Sequence, residues 1–336
     1  MGGRVSGSRS STRQRGMALL LVISVISLLT VIIVQFNQSS SQALVTAVQH
    51  QERELLEAAV QSGVDIGCAL LQADRQGGQT DALVEPWARV GAEPLPILSG
   101  ETELRLRIVD LAGLLPINNL VATTGGANPE RLREALLRLL LSGRFALRDE
   151  VQAQEIVDSL VDWLDSDDNE LPYGAETAYY QSLQPPYEAG NGPLLMVGQL
   201  LLVKGITVEL LYGTDEKEPL ADYISVNGSG GRININTAPL PVLMALDERL
   251  GEEEATLLDE FRRNPEHENL LGDSSWYRAV PGWPGDISFD AQLISTDSRF
   301  FRVVAEARYR DLGMTAAAVV QRENARAVEI ITFTLD

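Results

Sequence analysis

The chain has 336 residues, enough for two folded regions beside a membrane segment. Its 45% hydrophobic and 22% charged content excludes wholesale disorder. A formal net charge of −20, with no basic patch beyond the extreme N-terminus, argues against nucleic acid partners, and a single cysteine, Cys68, excludes an intramolecular disulfide.

Residues 1–16 carry Arg4, Arg9, Arg13 and Arg15, no acid, and many Gly and Ser. From Met17 to Val34 run 18 residues without a charge, the short end of a bilayer span. Arginines before the run and none just after it place the N-terminus in the cytoplasm and the rest of the chain outside. Three readings fit: a plain signal anchor, a secretory signal peptide cut near Ser41-Gln42-Ala43, or a leader cut ahead of the apolar run. The stretch Arg15-Gly16-Met17-Ala18-Leu19-Leu20-Leu21 resembles the third kind, the leader of type IV pilin-like proteins.

The residues beyond the run favour that reading. From Gln38 to about Ala73 there is no Pro, and the only glycines are Gly63 and Gly67. Leu55, Leu56, Ala59, Val60, Val64 and Ile66 recur near a 3.6-residue period, with Glu52, Arg53, Glu54, Glu57 and Asp65 between them. Apolar and amphipathic segments therefore read as one helix roughly 80 Å long. A removable signal peptide has no reason to be continuous with such a helix, whereas a pilin stalk does.

Farther on, Leu104, Leu106 and Ile108 alternate with Glu103, Arg105 and Arg107, the pattern of a half-buried strand. Phe301, Val303, Ala305, Ala307 and Tyr309 alternate with Arg302, Glu306, Arg308 and Arg310 in the same way, and 314–320 and 328–333 complete an antiparallel set. Between them, helices are expected at Glu130–Leu141, Glu150–Leu164, Pro193–Lys204 and Pro239–Arg263. Early and late strands need partners, so one sheet interrupted by a helical insertion fits better than two tandem domains. The expected fold class is α+β: residues 1–16 a leader, 17–75 the transmembrane and stalk helix, 76–112 and 286–336 a pilin-like sheet, and 113–285 the inserted helical domain.

The segment Asp162-Trp163-Leu164-Asp165-Ser166-Asp167-Asp168-Asn169-Glu170 closes one expected helix, and Gly174-Ala175-Glu176 opens the next. With Asp165 as position 1, Asp167 is 3, Asn169 is 5 and Glu176 is 12, the oxygen-ligand positions of an EF-hand-type calcium loop. The sixth position holds Glu170 where such loops need Gly for a sharp turn, so a standard EF-hand is not expected. Hard oxygen donors without His or Cys argue against zinc. The competing reading is a solvated acidic loop of turn-forming Asp and Asn.

Arg232-Ile233-Asn234-Ile235-Asn236-Thr237-Ala238-Pro239 precedes a helix, with Thr237 as its expected N-cap, and a weaker copy stands at Leu115-Pro116-Ile117-Asn118-Asn119-Leu120. Buried Asn side chains would tie backbones together here. The pattern also suggests a helix-hairpin-helix DNA module, but acids at Asp247, Glu248 and 252–254 would repel phosphate. The two histidines, His50 and His267, have no Ser or Cys nucleophile motif beside them. An enzyme is not expected, and a membrane-anchored periplasmic hydrolase or another single-span envelope protein stands as the alternative.

The leader, the acidic loop and the NxNTA motif together resemble the K-type minor pseudopilins of the type II secretion system. In most pilins the fifth mature residue is a glutamate that neutralises the α-ammonium of a neighbouring subunit in the membrane. If Gly16 ends the leader, that position is Leu21, and no acid lies anywhere in the run. The resemblance implies cleavage by prepilin peptidase between Gly16 and Met17, N-methylation, an inner-membrane anchor and a periplasmic body. It also implies I- and J-type minor pseudopilins as partners and a place at the tip of the pseudopilus. It further implies calcium in the helical domain, with Asp165, Asp167, Asp168, Glu170 and Glu176 as ligands by motif position, and Asp162 and Asn169 as weaker ones.

Overall fold

The computed structural model describes residues 11–92, 95–96, 102–122, 126–228, 230–324 and 327–336. Residues 1–10 of the expected leader lie outside the described residues, and Gly16 falls inside the first helix, α1 (Ser11–Gly77). The chain divides into two compact units, 1–58 and 59–336. In the first, every side chain from Met17 to Leu44 is exposed, on a helix long and apolar enough to cross a membrane.

The second unit begins with the last part of α1. Ala59, Val60, Val64 and Leu71 are buried there, while Ile66, part of the expected apolar stripe, is exposed. Gly63 and Gly67 let the helix lie directly on the sheet: a Cβ on Gly63 would stand 2.7 Å from Ala305 Cβ, and one on Gly67 2.5 Å from Val303 Cγ1. After a short helix α2 (Pro86–Arg89) come β1 (Leu95–Pro96) and β2 (Thr102–Asp110). On β2, Leu104, Leu106 and Ile108 turn inward and Glu103, Arg105 and Arg107 outward, as the alternation requires.

Next come β3 (Leu115–Pro116), α3 (Pro129–Leu140), α4 (Glu150–Leu164), α5 (Thr177–Gln181), α6 (Val208–Tyr212), β4 (Ile224–Ser225), β5 (Ile233–Asn234), α7 (Leu240–Ala245), α8 (Glu252–Arg263) and β6 (Ile294–Ser295). The chain ends with β7 (Phe300–Tyr309), β8 (Leu312–Asn324) and β9 (Ala327–Leu335). The five-stranded sheet runs β1-β2-β7-β8-β9, every pair antiparallel. β2 and β7 pair along their whole length, from Thr102 opposite Tyr309 to Asp110 opposite Phe301, so the strands on either side of the helical segment close one sheet. Two small parallel pairs, β3 with β4 and β5 with β6, sit inside that segment.

The helices are set by their caps and apolar faces. Asn128 accepts a hydrogen bond from Glu130 N (3.1 Å) at the start of α3, with Pro129 in the first turn. Asp149 accepts from Gln152 N (2.9 Å) at the start of α4. Leu132, Leu136 and Leu139 of α3 and Ile156, Leu160 and Leu164 of α4 bury in one core, each worth about 1.5–3 kcal/mol of transfer free energy.

Three further expectations are corrected. The helix expected over Pro239–Arg263 is two, α7 and α8, because Asp247 takes the N–H of Arg249 (3.0 Å) and Glu254 takes that of Gly251 (3.0 Å), restarting the chain at a new N-terminus. The helix expected over Pro193–Lys204 is a 3₁₀ turn, Val197–Leu202, preceded by Leu195 and Met196 whose N–H groups both go to Gln199 Oε1. Thr237 does not cap α7, whose N-cap is Pro239; its hydroxyl donates to Asp110 Oδ2 at 2.6 Å.

Candidate metal centre and its supporting junction

The acidic loop hangs from the C-terminal end of α4. Asp162 is fully buried in the last turn and accepts from the backbone N–H groups of Leu171 (3.2 Å) and Ala175 (2.9 Å), folding 165–175 back onto the helix. Asp158, one turn earlier, accepts from Tyr173 N (3.2 Å). Gly174 is required by this closure, since a Cβ there would lie 1.8 Å from Asp162 Oδ2. Gly190 likewise lies against the Trp163 ring, where a Cβ would stand 2.5 Å from Nε1.

Asp165 caps the end of α4 and accepts from Asp167 N (3.4 Å), and Asp167 accepts from Asn169 N (2.9 Å), a run of Asx turns. Glu176 is 4% exposed, and neither of its carboxylate oxygens has a hydrogen-bond partner among the described residues. Burial pushes its carboxyl up to about 7, and the charges of Asp162, Asp165 and Asp168 push the same way. Asp162 is raised to about 6, first by burial, with its two backbone donors opposing. Asp165 is raised too, by burial and then by Asp167.

The fold thus brings Asp162, Asp165, Asp168 and Glu176 into one electrostatic neighbourhood, with Asp167 beside Asp165. Glu170 is exposed. A buried carboxylate with both oxygens unpaired, faced by three more acids, is costly unless a cation compensates. The donor set is all hard oxygen, the chemistry that calcium prefers.

Sequence reasoning did not find the junction at the end of α1, where several acids meet one guanidinium. Arg322, on β8, donates from Nη1 to Asp74 Oδ2 (2.9 Å) and to Leu71 O (3.1 Å), and from Nη2 to Asp81. Glu85 accepts from Trp87 Nε1 (2.8 Å), and the carboxylates of Asp74, Asp81 and Glu85 converge to within 4.8 Å of one another. Asn234 Nδ2 reaches Asp81 O (3.0 Å), Asp110 Oδ2 (3.0 Å) and Ser298 Oγ (2.9 Å), while Asn236 Nδ2 reaches Asp81 O (3.2 Å) and Leu271 O (3.0 Å). The NxNTA motif therefore ties together the segment after α1, the end of β2, the segment after α8 and the β6–β7 connection. Its weaker copy does similar work, Asn118 accepting from Leu194 N and donating to Leu194 O, both at 2.8 Å. One signal was present in the sequence: Arg322 comes after Ala316, Ala318 and Val320 in alternation, an inward charge on an apolar strand face.

The end of a long N-terminal helix laid on a five-stranded antiparallel sheet, with helices inserted between two of its paired strands, is the fold of a pilin-like subunit of the expanded kind. The family model described as type II secretion system, protein K, matches residues 113–213. The type II secretion system protein K of Pseudomonas aeruginosa is 28% identical over 92% of this chain and 89% of its own. That of Aeromonas hydrophila is 29% identical over 71% of this chain and 73% of its own, and that of Klebsiella pneumoniae 26% over 85% and 82%. In fold, the chain is similar to one in the crystal structure of the GspK–GspI–GspJ complex from enterotoxigenic Escherichia coli, with a TM-score of 0.62 and 17% identity, covering 86% of this chain and 98% of that one. Over most of its length the chain is thus similar to protein K of the type II secretion system, and these likenesses support the role of a minor pseudopilin in that system.

Proposed function

We propose that this subunit caps the tip of the periplasmic pseudopilus, anchored in the inner membrane by Met17–Val34 with its body in the periplasm. The observation that carries the reading is the acid-free apolar run, with Leu21 where a glutamate would neutralise the α-ammonium of the adjoining subunit. A subunit lacking that carboxylate has no means of accepting another above it. Prepilin peptidase cuts between Gly16 and Met17, and the new amine is methylated. The I- and J-type minor pseudopilins are its partners, a reading supported by the complex in which the similar Escherichia coli chain occurs. Its role is structural, not enzymatic.

Asp165, Asp167, Asp168 and Glu176 would hold a calcium ion at the end of α4, with Asp162 shaping the loop behind them. Bound there, calcium would neutralise the buried Glu176 and fix the loop against α4. Glu170, exposed, completes the motif set at its rim.

The test is intact mass and N-terminal sequence of the protein taken from native membranes, with co-purification of the I- and J-type subunits. A methylated start at Met17 in a complex with both is expected. An uncut chain, or a start near Leu44, would remove the pilin-like assembly.

A further inference from the structure

The inserted helical segment carries an exposed apolar surface that the pilin scaffold does not use. Leu195 is 71% exposed, Met196 61%, Val208 56% and Tyr212 53%, with Leu202 beside them at 43%. They form one surface, because the 3₁₀ turn Val197–Leu202 packs on α6, and a Cβ on Gly198 would meet the Tyr212 hydroxyl at 3.5 Å. Large apolar side chains grouped this way on a soluble surface mark an interaction site.

The display is built. Asn118 grips both backbone groups of Leu194, and Gln199 Oε1 takes the N–H of Leu195 at 2.6 Å and of Met196 at 3.3 Å. Those polar pins hold two large apolar side chains outward in a fixed backbone, so docking costs little ordering entropy. Tyr187 fastens the far side, its hydroxyl donating to Leu202 O at 2.8 Å.

The rim selects the partner. Glu188 stands next to Tyr187, Glu209 lies on α6 between Val208 and Leu210, and Asp215 and Glu216 come in the next turn; all four are exposed. The nearby lysines are tethered, Lys204 to the carbonyls of Tyr173 and Gly174 and Lys217 to that of Gly143. An acidic rim repels an anionic lipid surface and attracts lysine and arginine.

We infer that the Leu195–Met196–Val208–Tyr212 surface docks a protein presenting an apolar patch ringed by basic side chains. The inference rests on the tip reading.

The test uses the full chain in cells bearing its secretion system, with a benzophenone amino acid in place of Met196. A discrete protein adduct is expected. Its yield should fall about tenfold or more in Leu195→Ser with Val208→Ser, and equally in Glu188→Lys with Glu216→Lys, together with the exported fraction. All these side chains are exposed, so melting temperature and co-purification of the I- and J-type subunits should stay unchanged in both variants. Adducts only to lipid or to a second copy, adducts indifferent to charge reversal, or unaltered export would each overturn the inference. Failure of the unsubstituted chain to co-purify with its partners would instead strike the tip reading, and it is read separately.

Discussion

Arg322 and Asp81 form an ion pair with neither side chain exposed at all, one reaching in from β8 and the other lying just beyond the end of α1. The pair closes the sheet onto the helix, and Asp74 and the Asn234 amide extend it on either side. Burying a charge is unfavourable, so removing one partner should be far worse than removing both.

Arg322→Met is expected to destabilise the folded chain by about 3–5 kcal/mol, because Asp81 is left buried without its cation. Adding Asp81→Asn should recover part of that loss. Chemical denaturation of the four chains of the double-mutant cycle measures it, and a single-mutant loss below about 1 kcal/mol would mean the pair is not desolvated in solution.

Stability should also respond to pH at this junction. Burial raises the carboxyls of Asp81 and Glu85 to about 7 each, against Arg322, which lowers Asp81. Folded values above the unfolded ones mean the native state binds more protons, so this contribution is fully present below about pH 4 and is lost as pH rises through about 7. Glu85→Gln should flatten the melting temperature across that window. An unchanged slope would place the titration elsewhere.

Gly174→Ala sets a methyl group against the Asp162 carboxylate, where the fold leaves 1.8 Å. The loop must shift, at a cost of about 1–3 kcal/mol, and the backbone bonds from Leu171 and Ala175 to Asp162 weaken with it. Calorimetric melting should show a lower midpoint and a smaller response to added calcium.

Glu176→Gln separates the cation reading from a solvated loop. Without calcium the variant should be at least as stable as the parent, since an unpaired buried carboxylate is replaced by a neutral amide of the same shape. With calcium the parent should gain stability and the variant should not, nor should Asp165→Ala with Asp167→Ala. Equal melting of the parent with calcium and with chelator would count against the site.

Leu21→Glu restores an acid at the fifth residue after Gly16. If its absence sets the position in the fibre, the variant should appear in more than one copy per assembly, measured by quantitative mass spectrometry against the I-type subunit. A constant ratio would move the determinant to the body of the chain.

Much of this molecule was legible in its sequence wherever a feature depends on near neighbours. The alternation of Leu104, Leu106 and Ile108 is a property of one strand, the extent of α4 comes from Asp149 and the apolar period behind it, and the acid-free run needs only composition. The oxygen spacing from Asp165 to Glu176 was likewise visible, although its sixth position is not the usual glycine. Other features were decided by distant chain segments. Asn234 contacts a carbonyl 153 residues away, and Arg322 a carboxylate 241 residues away, so no local pattern specifies either bond. The exposure of Ile66 and the diversion of the Thr237 hydroxyl to Asp110 have the same origin, whereas the break between α7 and α8 is set locally by Asp247 and Glu254. Helix and strand propensities act over a few residues, while packing chooses which polar groups are buried together, and only the folded chain makes that choice.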